Sequence, residues 1–91
     1  MAETKYARQI NFAEIDECRI ERIFVKALGQ EEIRFSWWPG GKFTPRPLDL
    51  PEAQLLPLIH DAITQGVFTQ SFVDGLRDML NEATRQHPGQ G

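Results

Sequence analysis

The stretch Glu32–Leu50, EIRFSWWPGGKFTPRPLDL, decides how this chain is read. From Ile33 to Trp38 apolar and polar residues alternate: Ile33, Phe35 and Trp37 point one way, Arg34, Ser36 and Trp38 the other. Such alternation in β-favouring residues predicts a strand. The first face reads as core, whereas the second offers a cation and a large aromatic to a partner. Pro39-Gly40-Gly41 ends the strand, because Pro lacks a ladder donor and Gly reaches positive φ without strain. Lys42–Leu48 is a candidate further strand, which Pro45 and Pro47 confine to a sheet edge or to extended chain. Asp49 then has the position of a helix N-cap. Glu52 follows at the capping-box spacing, and Pro51 falls in the first turn, where its missing donor costs nothing.

Downstream, the spacing predicts one helix from about Leu50 to Gln65, with a wide apolar stripe of Leu55, Leu56, Leu58, Ile59, Ala62 and Ile63. Pro57 interrupts it by removing the bond to the Ala53 carbonyl. Gly66 is the natural terminating residue. Thr69 is expected to cap a second helix reaching Arg85, with Phe72, Leu76, Met79, Leu80 and Ala83 as its stripe. Gly75 inside that helix costs about 1 kcal/mol relative to Ala and is expected to mark close contact with another backbone. Upstream, Cys18–Leu28 is rich in β-branched residues, but its apolar positions fall on both faces. Either both faces are covered or a bulge shifts the register. Gly29-Gln30-Glu31 connects it to the next strand as an antiparallel hairpin. Ile10–Phe12 reads as a short strand and Ala13–Glu17 as an acidic connection.

Ninety-one residues make one small domain with a marginal core. Residues 1–9 are expected to be a flexible arm, 10–85 a single domain and 86–91 a disordered tail. The fold class expected is α+β, a small antiparallel sheet of three to four strands followed by two amphipathic helices. No apolar run is long enough to span a membrane and no signal peptide is evident, so a cytoplasmic setting is expected. Cys18 is the only cysteine, which excludes an internal disulfide and suits a reducing compartment. The net charge of −3 is unevenly spread. Residues 1–18 carry −2, residues 19–46 carry +3 and residues 47–91 carry −4, so the expected sheet is basic and the expected helices acidic.

Catalytic and metal chemistry find little here. One cysteine with His60 and His87 cannot supply a structural zinc site. His60 reads as a solvated or hydrogen-bonded side chain and Cys18 as a small core residue. Ser36 and Ser71 have no nucleophile-elbow context. Pro39-Gly40-Gly41-Lys42 lacks the spacing and the Ser/Thr of a phosphate loop. No enzyme, cofactor, metal or small-molecule substrate is expected.

Aromatic residues among cations point elsewhere. Single-stranded nucleic acid is bound in basic grooves floored by aromatic platforms, and Arg22, Lys26, Arg34, Trp37, Trp38, Lys42 and Arg46 are the residues that could supply one. The plainer alternative is that both tryptophans belong to the core or a dimer interface and that the cations form a solvated face. Beyond the residues themselves, Arg22–Ile63 resembles the single-stranded-DNA-binding core of the positive cofactor four family of transcriptional coactivators. The resemblance is carried by Ile33-Arg34 with Trp37, Gly40-Gly41, Pro45, Leu48 and Leu50, and Leu55–Ile63. It implies nucleic-acid contact by Arg34, Trp37 and Arg46, and a dimerising amphipathic helix. The assignment of Trp37 conflicts with its place on the apolar face, and the second helix departs from that pattern. A second comparison, to the ribbon-helix-helix repressors, matches Thr44–Leu48 and the two helices, but Pro45 and Pro47 lack the donors its paired strand requires.

The function expected is therefore non-catalytic binding of nucleic acid, single-stranded DNA or a regulatory DNA site, in connection with transcription. The alternative is a protein–protein adaptor or homodimerisation domain with no nucleic-acid role. Either way a homodimer is expected, because the second helix carries an apolar stripe that a short sheet and one kinked helix do not cover, and edge strands need protection.

Overall fold

A computed structural model describes residues 3–86 of the chain. It has a four-stranded antiparallel sheet followed by two helices, an α+β domain. The strands are β1 (Ala7–Ile15), β2 (Cys18–Val25), β3 (Gln30–Trp37) and β4 (Leu48–Leu50), and the helices α1 (Glu52–Thr64) and α2 (Gln70–Gln86). The strands lie in chain order, β1-β2-β3-β4, so β1 and β4 form the two edges. The chain divides between Leu56 and Pro57 into two compact units. The division falls at the proline that deprives α1 of a backbone bond.

The sheet starts earlier than its composition suggests. Ala7–Gln9, expected within a flexible arm, and Ala13–Ile15, expected in an acidic connection, both belong to β1. Antiparallel pairing to β2 overrides their polarity, since the alternate backbone donors that face β2 gain partners there. The connection shrinks to Asp16 and Glu17, both at positive φ (52° and 68°), the left-handed pair that a two-residue hairpin demands. Glu17 is an uncommon residue in that conformation. Its carbonyl accepts the Trp38 N–H at 2.7 Å and its carboxylate accepts the Gly40 N–H at 2.6 Å. The β1–β2 hairpin is thus tied to the chain that leaves β3.

Both faces of β2 carry apolar residues, and β2 pairs with β3 without a break from Cys18 to Val25. The bulge lies instead in β1, between Gln9 and Asn11. It moves Phe12 and Glu14 onto the side of the sheet that Ala7 and Gln9 occupy, where both meet Arg19. Lys42–Pro47 is not a strand: only Leu48–Leu50 pairs with β3, because the two prolines withhold the donors a ladder needs.

The helix ends are partly as expected. Gly66 sits at φ 75° as a terminator of α1, and the Phe72 N–H bonds the Thr69 hydroxyl at 3.1 Å at the start of α2. Asp49, expected as an N-cap, lies in β4 and gives its carboxylate to Arg34. Gly75 has no close backbone neighbour in the described chain: a Cβ there would meet nothing within 4 Å. The region expected to be a tail begins at Gln86, which is in α2, and its remainder lies outside the described residues.

The apolar core among the described residues is small: Ala7, Ile23, Ile33 and Leu50. Ile23, at 1 % exposure, is the most enclosed. Replacing it with Ala is expected to lower stability by about 2–5 kcal/mol, the cost of a lost side chain plus its cavity. Leu28→Ala, in the exposed turn after β2, is expected to stay within about 0.5 kcal/mol of the parent. Urea unfolding of the two variants checks this, and equal losses would place the core elsewhere.

Candidate functional site

The sheet's two faces differ in how their side chains are covered. Arg19, Glu21 and Ile23 of β2, and Glu32, Arg34 and Ser36 of β3, share the first face with Ala7 and Gln9 of β1. Glu21, only 3 % exposed, is its centre. The Gln9 side-chain amide donates to one carboxylate oxygen at 2.8 Å, and the Ser36 hydroxyl donates to the other. Ser36 in turn accepts the Trp38 indole N–H at 2.9 Å. A buried carboxylate is tolerable only when its oxygens are so occupied, and no buried side-chain polar atom of the described residues lacks a partner.

Aromatic rings flank this face, Trp38 partly buried and Phe12 and Phe43 still 46 % and 38 % exposed. The Arg19 guanidinium lies 4.0 Å from the Trp38 ring centre and 4.6 Å from that of Phe12, and also pairs with Glu14. Phe43 packs against Trp38 with ring centres 5.1 Å apart. Arg34 holds Asp49 through two bonds, at 2.8 and 2.9 Å. Those bonds favour the charged guanidinium and raise its pKa despite the opposing effect of burial. A hollow of about 140 Å³ remains among Glu21, Ile23, Arg34, Trp38 and Phe43.

The second face is open. Cys18, Ile20, Arg22 and Phe24 of β2, Glu31, Ile33, Phe35 and Trp37 of β3, and Leu48 and Leu50 of β4 lie on it. Ile33 and Leu50 are buried, but toward the Cys18–Trp37 end the exposure rises. Ile15 is 77 % exposed, Leu48 54 %, Trp37 53 % and Ile20 52 %. With Phe35, Pro45 and Pro47 they line a groove of about 580 Å³ whose walls are mostly apolar, with Glu14, Arg19 and Arg46 also lining it.

Alternation alone puts Trp37 on the core face and Trp38 on the face offered to a partner, and the exposures run the other way. Trp37, read as core from its alternation with Ile33 and Phe35, is half exposed. β4 pairs no further along β3 than Phe35, so Trp37 has a strand neighbour, Cys18, on one side only. Trp38 and Arg34, read as a free platform, are engaged within the chain by Ser36, Phe43, Arg19 and Asp49.

Two of the four remaining cations expected to contact nucleic acid, Arg22 and Lys26, also have partners. Arg22 bonds Glu31 and Glu52, each at 3.0 Å, and the Glu52 bond is the larger cause of its raised pKa. Lys26 meets the Glu3 carboxylate at 2.6 Å and the Thr4 carbonyl at 2.7 Å. That bond lowers the pKa of Glu3. Lys42 and Arg46 are exposed and have no ion pair among the described residues. Of the seven candidates, only Trp37 and Arg46 line the groove. Ile15, Ile20, Phe35 and Leu48, none of them among the residues expected to bind, also line it. For Ile20 and Phe35 the signal is the apolar alternation of β2 and β3, which cannot label a face as covered or bare; Ile15 and Leu48 join them only through pairing with Cys18 and Phe35.

The described residues group no three His, Cys, Asp or Glu side chains as a metal site requires. None of the described helices is long and apolar enough to cross a membrane.

Trp38→Ala is expected to cost about 3 kcal/mol, as for a packed aromatic, whereas Trp37→Ala should cost less than about 1 kcal/mol. Urea melts of the two variants at low protein concentration decide this, and a larger loss for Trp37→Ala would contradict the assignment of the faces. A scan against protein-family models finds no match, and searches of the curated proteins and of the solved structures find none either.

Proposed function

We propose that this chain is a non-catalytic protein-interaction module whose groove receives an apolar segment of a protein. The observation that carries this reading is the group Ile15, Ile20, Trp37 and Leu48, each more than half exposed along one groove. Contiguous bare apolar surface on a small domain is costly in water, at about 25 cal/mol per Å², and marks contact surfaces. A half-exposed tryptophan among aliphatic residues is also the usual form of an interface anchor. Cys18, an exposed single thiol at the groove, suits a reducing cytoplasm.

A second reading, binding of single-stranded nucleic acid, has its own support. Trp37 and Arg46 line the same groove, and they are two of the three residues that the positive cofactor four resemblance implies. The element order, a basic β2, then β3, a Gly- and Pro-containing loop, β4 and a helix, also agrees with that resemblance. Against it stands the pairing of Arg22, Lys26 and Arg34 with carboxylates. Phosphates would have to displace those partners, and the groove walls offer one unpaired cation where an electrostatic channel needs several.

Selection of random peptides on the immobilised chain is expected to enrich apolar sequences. These should lose binding to Trp37→Ala and to Ile20→Ser and be little affected by salt. A single-stranded oligonucleotide titrated against tryptophan emission at low salt is expected to bind weakly. Tight oligonucleotide binding that falls steeply with added salt would overturn the protein reading in favour of the second.

A further inference from the structure

We infer that the segment which fills this groove is helix α2 of a second copy of the same chain, exchanged reciprocally to form a homodimer. The inference rests on the protein-interaction reading above and names its partner. It starts from two bare apolar surfaces on one chain. The groove is the first. The second is the stripe of α2, in which Phe72, Met79 and Leu80 are each more than half exposed. Phe72, Leu76, Met79 and Leu80 stand at i, i+4, i+7 and i+8, the spacing by which an amphipathic helix anchors in an apolar groove. A reciprocal exchange covers both surfaces at once, because a twofold axis makes each contact occur twice.

Three further observations favour a second copy over an unrelated chain. The described residues enclose only four apolar side chains, and a domain of this size has little stability to spare without more burial. The charges agree in sign: the residues lining the groove carry Arg19 and Arg46 against Glu14. Residues 57–86 carry Asp61, Asp74, Asp78 and Glu82 against Arg77 and Arg85. Opposed charge of this kind steers and orients association. Finally, Gly75 sits one turn from Phe72 and Met79 in a helix where glycine is unfavourable. Within the chain a Cβ there would meet nothing, so the room it leaves is available to a neighbour from outside.

The test is sedimentation equilibrium on the full chain and two variants, with circular dichroism to establish that each is folded. One variant, Trp37→Ala with Ile20→Ser, spoils the groove. The other, Met79→Glu with Leu80→Ser, spoils the helix. The parent is expected to be a dimer, and each variant to dissociate at least about thirty-fold more readily, the loss of one interface anchor. Mixed one to one, the two variants are expected to form a heterodimer, since one intact groove and one intact helix remain between them. A monomeric parent would overturn the inference; random-peptide binding to that monomer would then show whether the groove reading survives without it. A dimer that the groove variant leaves unchanged, or a mixture that stays monomeric, would also overturn it. Should one variant fail to fold, the dissociation of the other, together with its rescue by parent chain, gives the same decision.

Discussion

The interaction on which the rest of the structure depends is the Glu21 carboxylate enclosed in the sheet. Both its oxygens accept bonds, from Gln9 of β1 and from Ser36 of β3. It therefore joins three strands through one side chain. An isolated buried carboxylate would cost several kcal/mol, so the enclosure holds only while its donors are supplied. Ser36 extends the chain of bonds to the Trp38 indole. That fixes the tryptophan over the first face, and Phe43 and Arg19 complete the cover. Because successive strand residues point to opposite faces, seating Trp38 there places Trp37 on the other side. The bare groove is in this sense the reverse side of the closed one.

Much of the sheet was legible in the sequence. The alternation Ile33–Trp38, the turn at Gly29 and the stop at Pro39–Gly41 all yield the strands and turns they suggest, and the caps at Gly66 and Thr69 set the boundary between the helices. What could not be read was which face is closed. Two tryptophans in succession lie one on each face, and alternation alone does not distinguish them. Glu21 is the cause. A glutamate within a strand reads as solvent-facing, and its role as a buried acceptor becomes visible only once Gln9 and Ser36 are brought beside it from twelve and fifteen residues away. The same holds for the cations. The basic balance of residues 19–46 describes a stretch of chain, whereas the ion pairs of Arg22, Lys26 and Arg34 draw on acids at both ends of it and beyond.

The functional consequence follows from this arrangement of charge and surface. Cations bound to carboxylates are poor phosphate ligands, because each must exchange one ionic partner for another. Bare isoleucine, leucine and tryptophan side chains have no such competing partner except water. Among surfaces of comparable size, the apolar one thus has the greater unspent capacity for association. Trp37 belongs to both functional readings, as an anchor for an apolar segment or as a stacking platform, and Arg46 beside it is the feature that keeps the nucleic-acid reading physically reasonable.

The assignment of a closed face and an open one is tested most directly by acrylamide quenching of tryptophan emission in two single-tryptophan variants, measured at protein concentrations low enough to keep the chain dissociated. In Trp38→Phe the remaining Trp37 is expected to be strongly quenched and to emit at long wavelength. In Trp37→Phe the remaining Trp38, held by Ser36, Phe43 and Arg19, is expected to be shielded and to emit further to the blue. The opposite order, with Trp38 the more accessible of the two, would contradict the account.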